Sequence, residues 1–237
     1  MPGGFFISFS KKFFTLAHLF FFLGVVMKPW ELFNYIRDIR HDEYITSGDD
    51  VQWTVKVDDE NKIFRLIFED SCGKRDWLNN LNFPVKIYKR QESCLLAARG
   101  WGKAYKSCKD EVIKAMEIAI WLDPCYEIHI CGWSYGGALS LLAAEDLFYR
   151  FHKKARVFTF GAPKPLFGRK TQEYVRSCVE EVHQYSHVND CVTIMPPFPG
   201  YKRLATDRIG KGFCLLKLFN PRKYHRIYGD ESQYNEK

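Results

Sequence analysis

One stretch constrains this chain more than any other. The run Glu127-Ile128-His129-Ile130-Cys131 leads into Gly132-Trp133-Ser134-Tyr135-Gly136-Gly137 and then into Ala138-Leu139-Ser140-Leu141-Leu142. Ile128 and Ile130 belong to a short β-favouring run, whereas Ala138, Leu141, Leu142 and Ala144 recur at helical spacing. The period changes at Ser134, so a strand passes into a helix through one serine. Such a G-x-S-x-G turn is strained, and its glycines are needed because a Cβ would collide with the facing strand or helix. The serine is held out at a helix N-terminus, where unpaired backbone N–H groups and the helix dipole favour a nearby oxyanion. The pattern marks Ser134 as a nucleophile; the plain alternative is a tight structural turn.

The 237 residues suffice for one α/β domain with a sizeable core and fall short of two typical ones. With 46% hydrophobic and 27% charged residues, and no internal repeat, the chain is not of the disordered class. The formal charge of +7 suits an anionic surface such as phospholipid. Much of the excess falls late, in Lys202, Arg203, Arg208, Lys211, Lys217, Arg222, Lys223 and Arg226, where a solvated basic face is the blander reading. No nucleic-acid recognition motif accompanies the charge, so nucleic acid is not an expected partner. Eight cysteines occur without C-x-x-C or Cys/His metal spacing. Reduced, buried thiols are expected, and disulfides are the alternative for an exported protein.

Residues 1–28 read as an apolar leader ahead of a catalytic domain at 29–237. Lys11 and Lys12 precede an apolar run from Phe13 to Met27 that is short for a membrane span. The run resembles a secretory signal but lacks a small-x-small cleavage site. A signal or an uncleaved anchor implies a secreted or membrane-associated protein; a translation start at Met27 implies a cytoplasmic one. A buried N-terminal helix is the structural alternative.

Downstream, Trp30, Phe33 and Ile36 predict an amphipathic helix over Lys28 to His41. Val51, Trp53, Val55 and Val57 alternate with polar residues, and Ile63 to Phe68 return after an acidic turn, which predicts a hairpin. A helix is expected from about Gly100 to Leu122, ended by Asp123-Pro124. After the serine turn and its helix come a strand at Arg156 to Gly161, a helix near Arg169 to Cys178 and a strand at Val182 to Val188. This β-α-β-α-β order predicts an α/β-hydrolase-like fold: a mostly parallel central sheet with helices on both faces.

In such a fold the acid and then the histidine follow the serine along the chain. Of the seven histidines, His225 alone follows every plausible acid. Asp146 lies on the helix after the serine and Asp207 in a basic stretch, whereas Asp190 stands at the C-terminal end of a strand, where open α/β sheets place their sites. Asp190 is therefore the preferred acid; otherwise it begins an Asn-Asp turn and His225 is a surface residue. His183 and His187 have the spacing of a helical metal pair, but on a strand they stand about 13 Å apart. No metal or other cofactor is expected.

Several further motifs fall in order: Phe68-Glu69-Asp70-Ser71, Arg75-Asp76-Trp77-Leu78-Asn79-Asn80, Arg99-Gly100-Trp101, Phe158-Thr159-Phe160-Gly161-Ala162-Pro163, His187-Val188-Asn189-Asp190, Met195-Pro196-Pro197 and Tyr224-His225. With the serine motif they make the chain, from about Ile63 to Tyr228, resemble the class 3 lipases. The resemblance implies a Ser134, Asp190, His225 triad, an oxyanion hole from the backbone N–H groups of Tyr135 and Ser71, and a lid. Lys74 to Phe83 has the lid's amphipathic pattern, with Trp77, Leu78 and Leu81 on one face; an ordinary surface helix has the same pattern. Two departures stand out: Asp70 where the family has glycine, and Ala98 where it commonly has a histidine. The implied activity is hydrolysis of lipid carboxylic esters, of triacylglycerol lipase or phospholipase A type, at a membrane or lipid interface. The alternatives are an esterase on soluble or carbohydrate esters and a catalytically weakened lipid-binding protein.

Overall fold

The alternation at Val51, Trp53 and Val55 produces a strand, and the acidic turn returns it antiparallel to its neighbour. In the computed structural model, which describes residues 27–70, 84–89, 94–214 and 221–234, these are β2 (Val51–Asp58) and β3 (Ile63–Phe68), with Trp53 opposite Phe68. β1 (Ile45–Ser47) extends the outer edge. The leader before Met27 and the segment holding Ser71, Trp77, Leu78 and Leu81 lie outside the described residues.

A small separate hairpin follows, β4 (Val85–Lys89) with β5 (Cys94–Ala98). The chain then alternates, because parallel strands need long crossovers. Helix α2 (Arg99–Leu122) leads to β6 (Glu127–Trp133), α3 (Tyr135–Phe151) to β7 (Ala155–Phe160), and α4 (Arg169–Cys178) to β8 (Val179–His187). β9 (Asp207–Ile209) closes a seven-stranded sheet in the order β1-β2-β3-β6-β7-β8-β9, parallel from β3 onward.

Successive strand residues face opposite sides, so the sheet makes two cores. Phe64, Leu66 and Phe68 pack with Met116 of α2 and Leu139 of α3, while Ile67 joins Phe33 and Ile36 on the other face. Those two residues belong to the helix preceding β1 (Pro29–Asp38), here α1, so helices cover both faces.

Three differences from expectation have local causes. α1 stops at Asp38 rather than His41, because Ile39 is extended and the Arg40 N–H is taken by Glu43 Oε1 at 3.1 Å, which starts a separate turn. β8 begins at Val179 rather than Val182, since Val179 is already extended directly after α4. β9 has three residues in a basic stretch, too few for a readable alternation. Among the described residues, no helix is long and apolar enough to cross a membrane.

Candidate active site

The position of Ser134, the expected nucleophile, follows from the abrupt joining of β6 to α3. Ser134 caps α3 with φ 53° and ψ −119°, a backbone conformation that costs a non-glycine residue about 1–3 kcal/mol. Backbone bonds hold it there: the Ser134 N–H donates to Phe160 O of β7 at 2.8 Å, and Ser134 O accepts from Gly137 N at 3.1 Å. Gly136 allows the turn to press on the sheet, since a Cβ at that position would stand 2.3 Å from Phe68 O. Ser134 is 7% exposed. Tyr135 is the first residue of α3, where backbone N–H groups have no intrahelical acceptor.

Asp190 and His225, the expected acid and base, meet across 35 residues of chain. His225 Nδ1 lies 2.8 Å from Asp190 Oδ2. Asp190 is buried, at 1% exposure, and three donors serve it: His225, the Tyr228 hydroxyl to Oδ2 at 2.7 Å and the Val192 N–H to Oδ1 at 3.0 Å. Thr193 Oγ1 also donates to the Asp190 carbonyl at 2.7 Å, so the loop after β8 is fixed on both sides of the carboxylate.

Trp133, directly before Ser134, joins the two halves. Its Nε1 donates to His225 O at 3.0 Å, and its ring lies 5.6 Å from the imidazole. Gly161, directly after the Phe160 that receives the Ser134 N–H, has φ 59°. A Cβ at Gly161 would be 2.9 Å from His225 Cε1 and 3.0 Å from Asp190 Oδ2, so only glycine lets β7 end this close to the pair.

Burial pulls the His225 imidazole down, but the hydrogen bond and charge of Asp190 and the charge of Asp70 outweigh it. The histidine titrates above its ordinary value. Burial and the neighbouring Asp190 charge push the Tyr228 phenol far up, so it remains a donor. Its role went unread in the sequence, where a tyrosine three residues beyond His225 gives no signal of its own. The same holds for Trp133 as a support of the histidine.

The competing acids are engaged elsewhere. Asp146 accepts from Tyr105 at 3.0 Å, and Asp207 accepts the Gln184 N–H at 2.9 Å and faces His183 at 3.6 Å. His183 stacks on Phe158, whereas His187 stacks on Tyr224 and accepts the Asn189 N–H, so the two serve separate contacts. Cys108 and Cys131 are buried free thiols whose pKa burial pushes up to about 12, which leaves them protonated and poor nucleophiles. Ser71, expected in the oxyanion hole, and Trp77, Leu78 and Leu81, expected on a lid, fall outside the described residues.

Known proteins resemble the chain in sequence and in fold. The secreted mono- and diacylglycerol lipase A of Penicillium cyclopium is 26% identical over 142 residues, which are 60% of this chain and 46% of that protein. A lipase of Rhizopus niveus is 27% identical over 146 residues, 59% of this chain and 36% of that one. The chain thus matches about half the length, or less, of these relatives. A fungal lipase crystal structure shares the fold with a TM-score of 0.66 at 20% identity, covering 79% of this chain and 80% of that one. The sequence pattern of the family described as Lipase (class 3) matches residues 66–199, more than half of this chain, and on that match the chain belongs to the class 3 lipase family.

Proposed function

We propose that this protein hydrolyses lipid carboxylic esters through Ser134, His225 and Asp190. The observation that carries the reading is the 2.8 Å His225–Asp190 contact, with His225 tied by its carbonyl to Trp133, the residue next to Ser134. His225 Nε2 takes the Ser134 proton as Oγ bonds to the ester carbonyl carbon, and Asp190 orients and stabilises the resulting imidazolium. The tetrahedral oxyanion is held by the Tyr135 N–H, with Ser71 as its second donor. Collapse expels the alcohol, which receives the proton from His225. Water, deprotonated by the same histidine, then attacks the acyl-serine and releases the fatty acid.

Three supports act together. The Asp190 carboxylate is fully engaged by donors, which suits an anion that faces an imidazolium throughout turnover. The family is that of lipases, and the Penicillium cyclopium relative is named for mono- and diacylglycerols, which points to glyceride esters as the substrate class. Trp77, Leu78 and Leu81 form the apolar lid face in this reading and meet the lipid surface. Triacylglycerol and phospholipid esters both belong to the proposed range.

The test is hydrolysis of an ester series, from short soluble chains to long-chain glycerides and phospholipids, with Ser134→Ala as control. Turnover that rises on aggregated lipid and vanishes in the control is the expected result. Turnover confined to soluble esters would replace the lipase with an esterase, and no turnover on any ester would leave a lipid-binding protein on a hydrolase fold.

A further inference from the structure

The loops at the C-terminal ends of β7 and β8 and the segment leading to β9 border an open cavity of about 640 Å³ on the Asp190 side of the site. Lys164, Lys202, Arg203 and Arg208 line it. Among the described residues, none of these four is ion-paired with a carboxylate. The Arg203 guanidinium instead donates to two carbonyls, Ala162 O at 2.6 Å and Thr193 O at 2.8 Å. Burial pulls the Arg203 pKa down, and burial with the Arg203 charge does the same to Lys164. The nearby acids have other partners: Asp190, whose charge reaches Arg203, binds His225, Tyr228 and the Val192 N–H, and Asp207 binds the Gln184 N–H and faces His183. Four gathered cations, of which Lys164 and Arg203 are partly out of water, form a site for an anion.

The rim narrows the choice of anion. Ile194 and Phe213 line the same cavity, yet they are 51% and 65% exposed. Cations below and exposed apolar side chains beside them match a phospholipid surface, where phosphates lie against acyl chains. A free soluble anion has no use for the apolar rim. The cavity also shares Thr193 with the support of Asp190, so a surface held there lies at the triad's end of the sheet.

We propose that this pocket takes the phosphate of an anionic phospholipid headgroup while Ile194 and Phe213 enter the surrounding lipid. The pocket would hold the catalytic end of the sheet against an anionic interface. The inference rests on the lipid-ester reading for its biological setting, but binding is measured apart from chemistry.

The experiment uses the full chain carrying Ser134→Ala, sedimented with phosphatidylcholine vesicles with or without phosphatidic acid. Phosphatidic acid should strengthen binding, and Lys202→Gln with Arg208→Gln should weaken it by about fivefold per charge removed, or on the order of 25-fold together. Both residues are exposed, so the fold should survive, as an unchanged melting temperature would verify. The pair Lys106→Gln and Lys114→Gln, exposed on α2, changes net charge equally and should alter binding by less than about twofold. Phe213→Ser should weaken vesicle binding as well. Equal losses in the two pairs, or unchanged binding in the pocket pair, would overturn the proposal. So would inorganic phosphate or a single-stranded oligonucleotide that binds at the pocket as tightly as the vesicles do. Hydrolysis of a soluble ester by the unmutated chain is read in parallel. Pocket-dependent binding without hydrolysis would sink the ester reading alone, and hydrolysis without pocket dependence would sink this inference alone.

Discussion

The turn at Ser134 and the arm that carries His225 are built by different means. Around Ser134 the signal is mostly local, in adjoining residues, a strained backbone and glycines, with β3 and the end of β7 supplying the surfaces they press on. Around His225 almost everything is distant: Asp190 from the end of β8, Tyr228 beneath it, and α1 from the other end of the chain. Phe33 of α1 packs 5.4 Å from the Trp133 ring, 5.3 Å from Phe160 and 5.7 Å from Tyr228, and Asn34 donates to Gly229 O at 3.2 Å. The first half leans on a strained turn, close steric fit and backbone hydrogen bonds, and the second on side-chain hydrogen bonds and ring packing. They should therefore fail in different ways.

The largest effects test whether the halves form one machine. Ser134→Ala and His225→Ala should each lower kcat/KM on a soluble ester by about 10⁴-fold, and the double variant should be little worse than either, because residues that act as a unit are not additive. Multiplying losses would mean that the two sites act independently. Asp190→Asn should cost nearly as much, while Asp207→Asn should change the rate by less than about threefold. The reverse ranking would move the acid to Asp207.

Intermediate effects separate the two kinds of failure. Phe33→Ala removes a fully buried ring and should lower stability by about 3–5 kcal/mol in denaturant titrations, with the arm loosened before the turn. Tyr228→Phe removes one donor to Asp190 and leaves the His187 N–H without its acceptor, at a cost of about 1–3 kcal/mol. Its activity should fall while the melting curve stays cooperative. A Tyr228→Phe variant with full activity and stability would show that the arm does not depend on this bond.

The smallest effect concerns pH. The raised pKa of His225 means that its charged form contributes stability fully below the unfolded value of about 6.5, and that this is lost as pH rises through the higher folded value. Activity runs the other way, because a general base must be neutral. Asp70→Asn removes one raising charge, so the acid limb of the kcat/KM profile should move to lower pH. An unmoved limb would show that the Asp70 charge does not reach the base. Asp70→Gly should preserve or raise the rate, as replacing the departure with the family's residue requires.

Legibility in the sequence followed the same division. The turn at Ser134, the hairpin β2–β3, α2 and α4 were readable because each has a local period or a local steric demand. Asp190 and His225 were chosen by chain order, and they lie 2.8 Å apart in the structure. Tyr228 and Trp133 were not readable as supports, since neither role has a spacing signature. The cation pocket was visible only as a late basic run with two readings, one a solvated face and one a partner surface.

By itself, then, the sequence determined the fold class and the strand-to-helix turn at Ser134, since the change of hydrophobic period and the glycine pattern are written in neighbouring residues. Tertiary structure alone decided how closely Asp190 meets His225, what holds that carboxylate, and which basic side chains share one cavity. Those outcomes depend on where distant segments come to rest once both faces of the sheet are buried. Burial then sets their strength: the same aspartate that would be a turn residue in water becomes, at 1% exposure and with three donors, the fixed partner of the histidine.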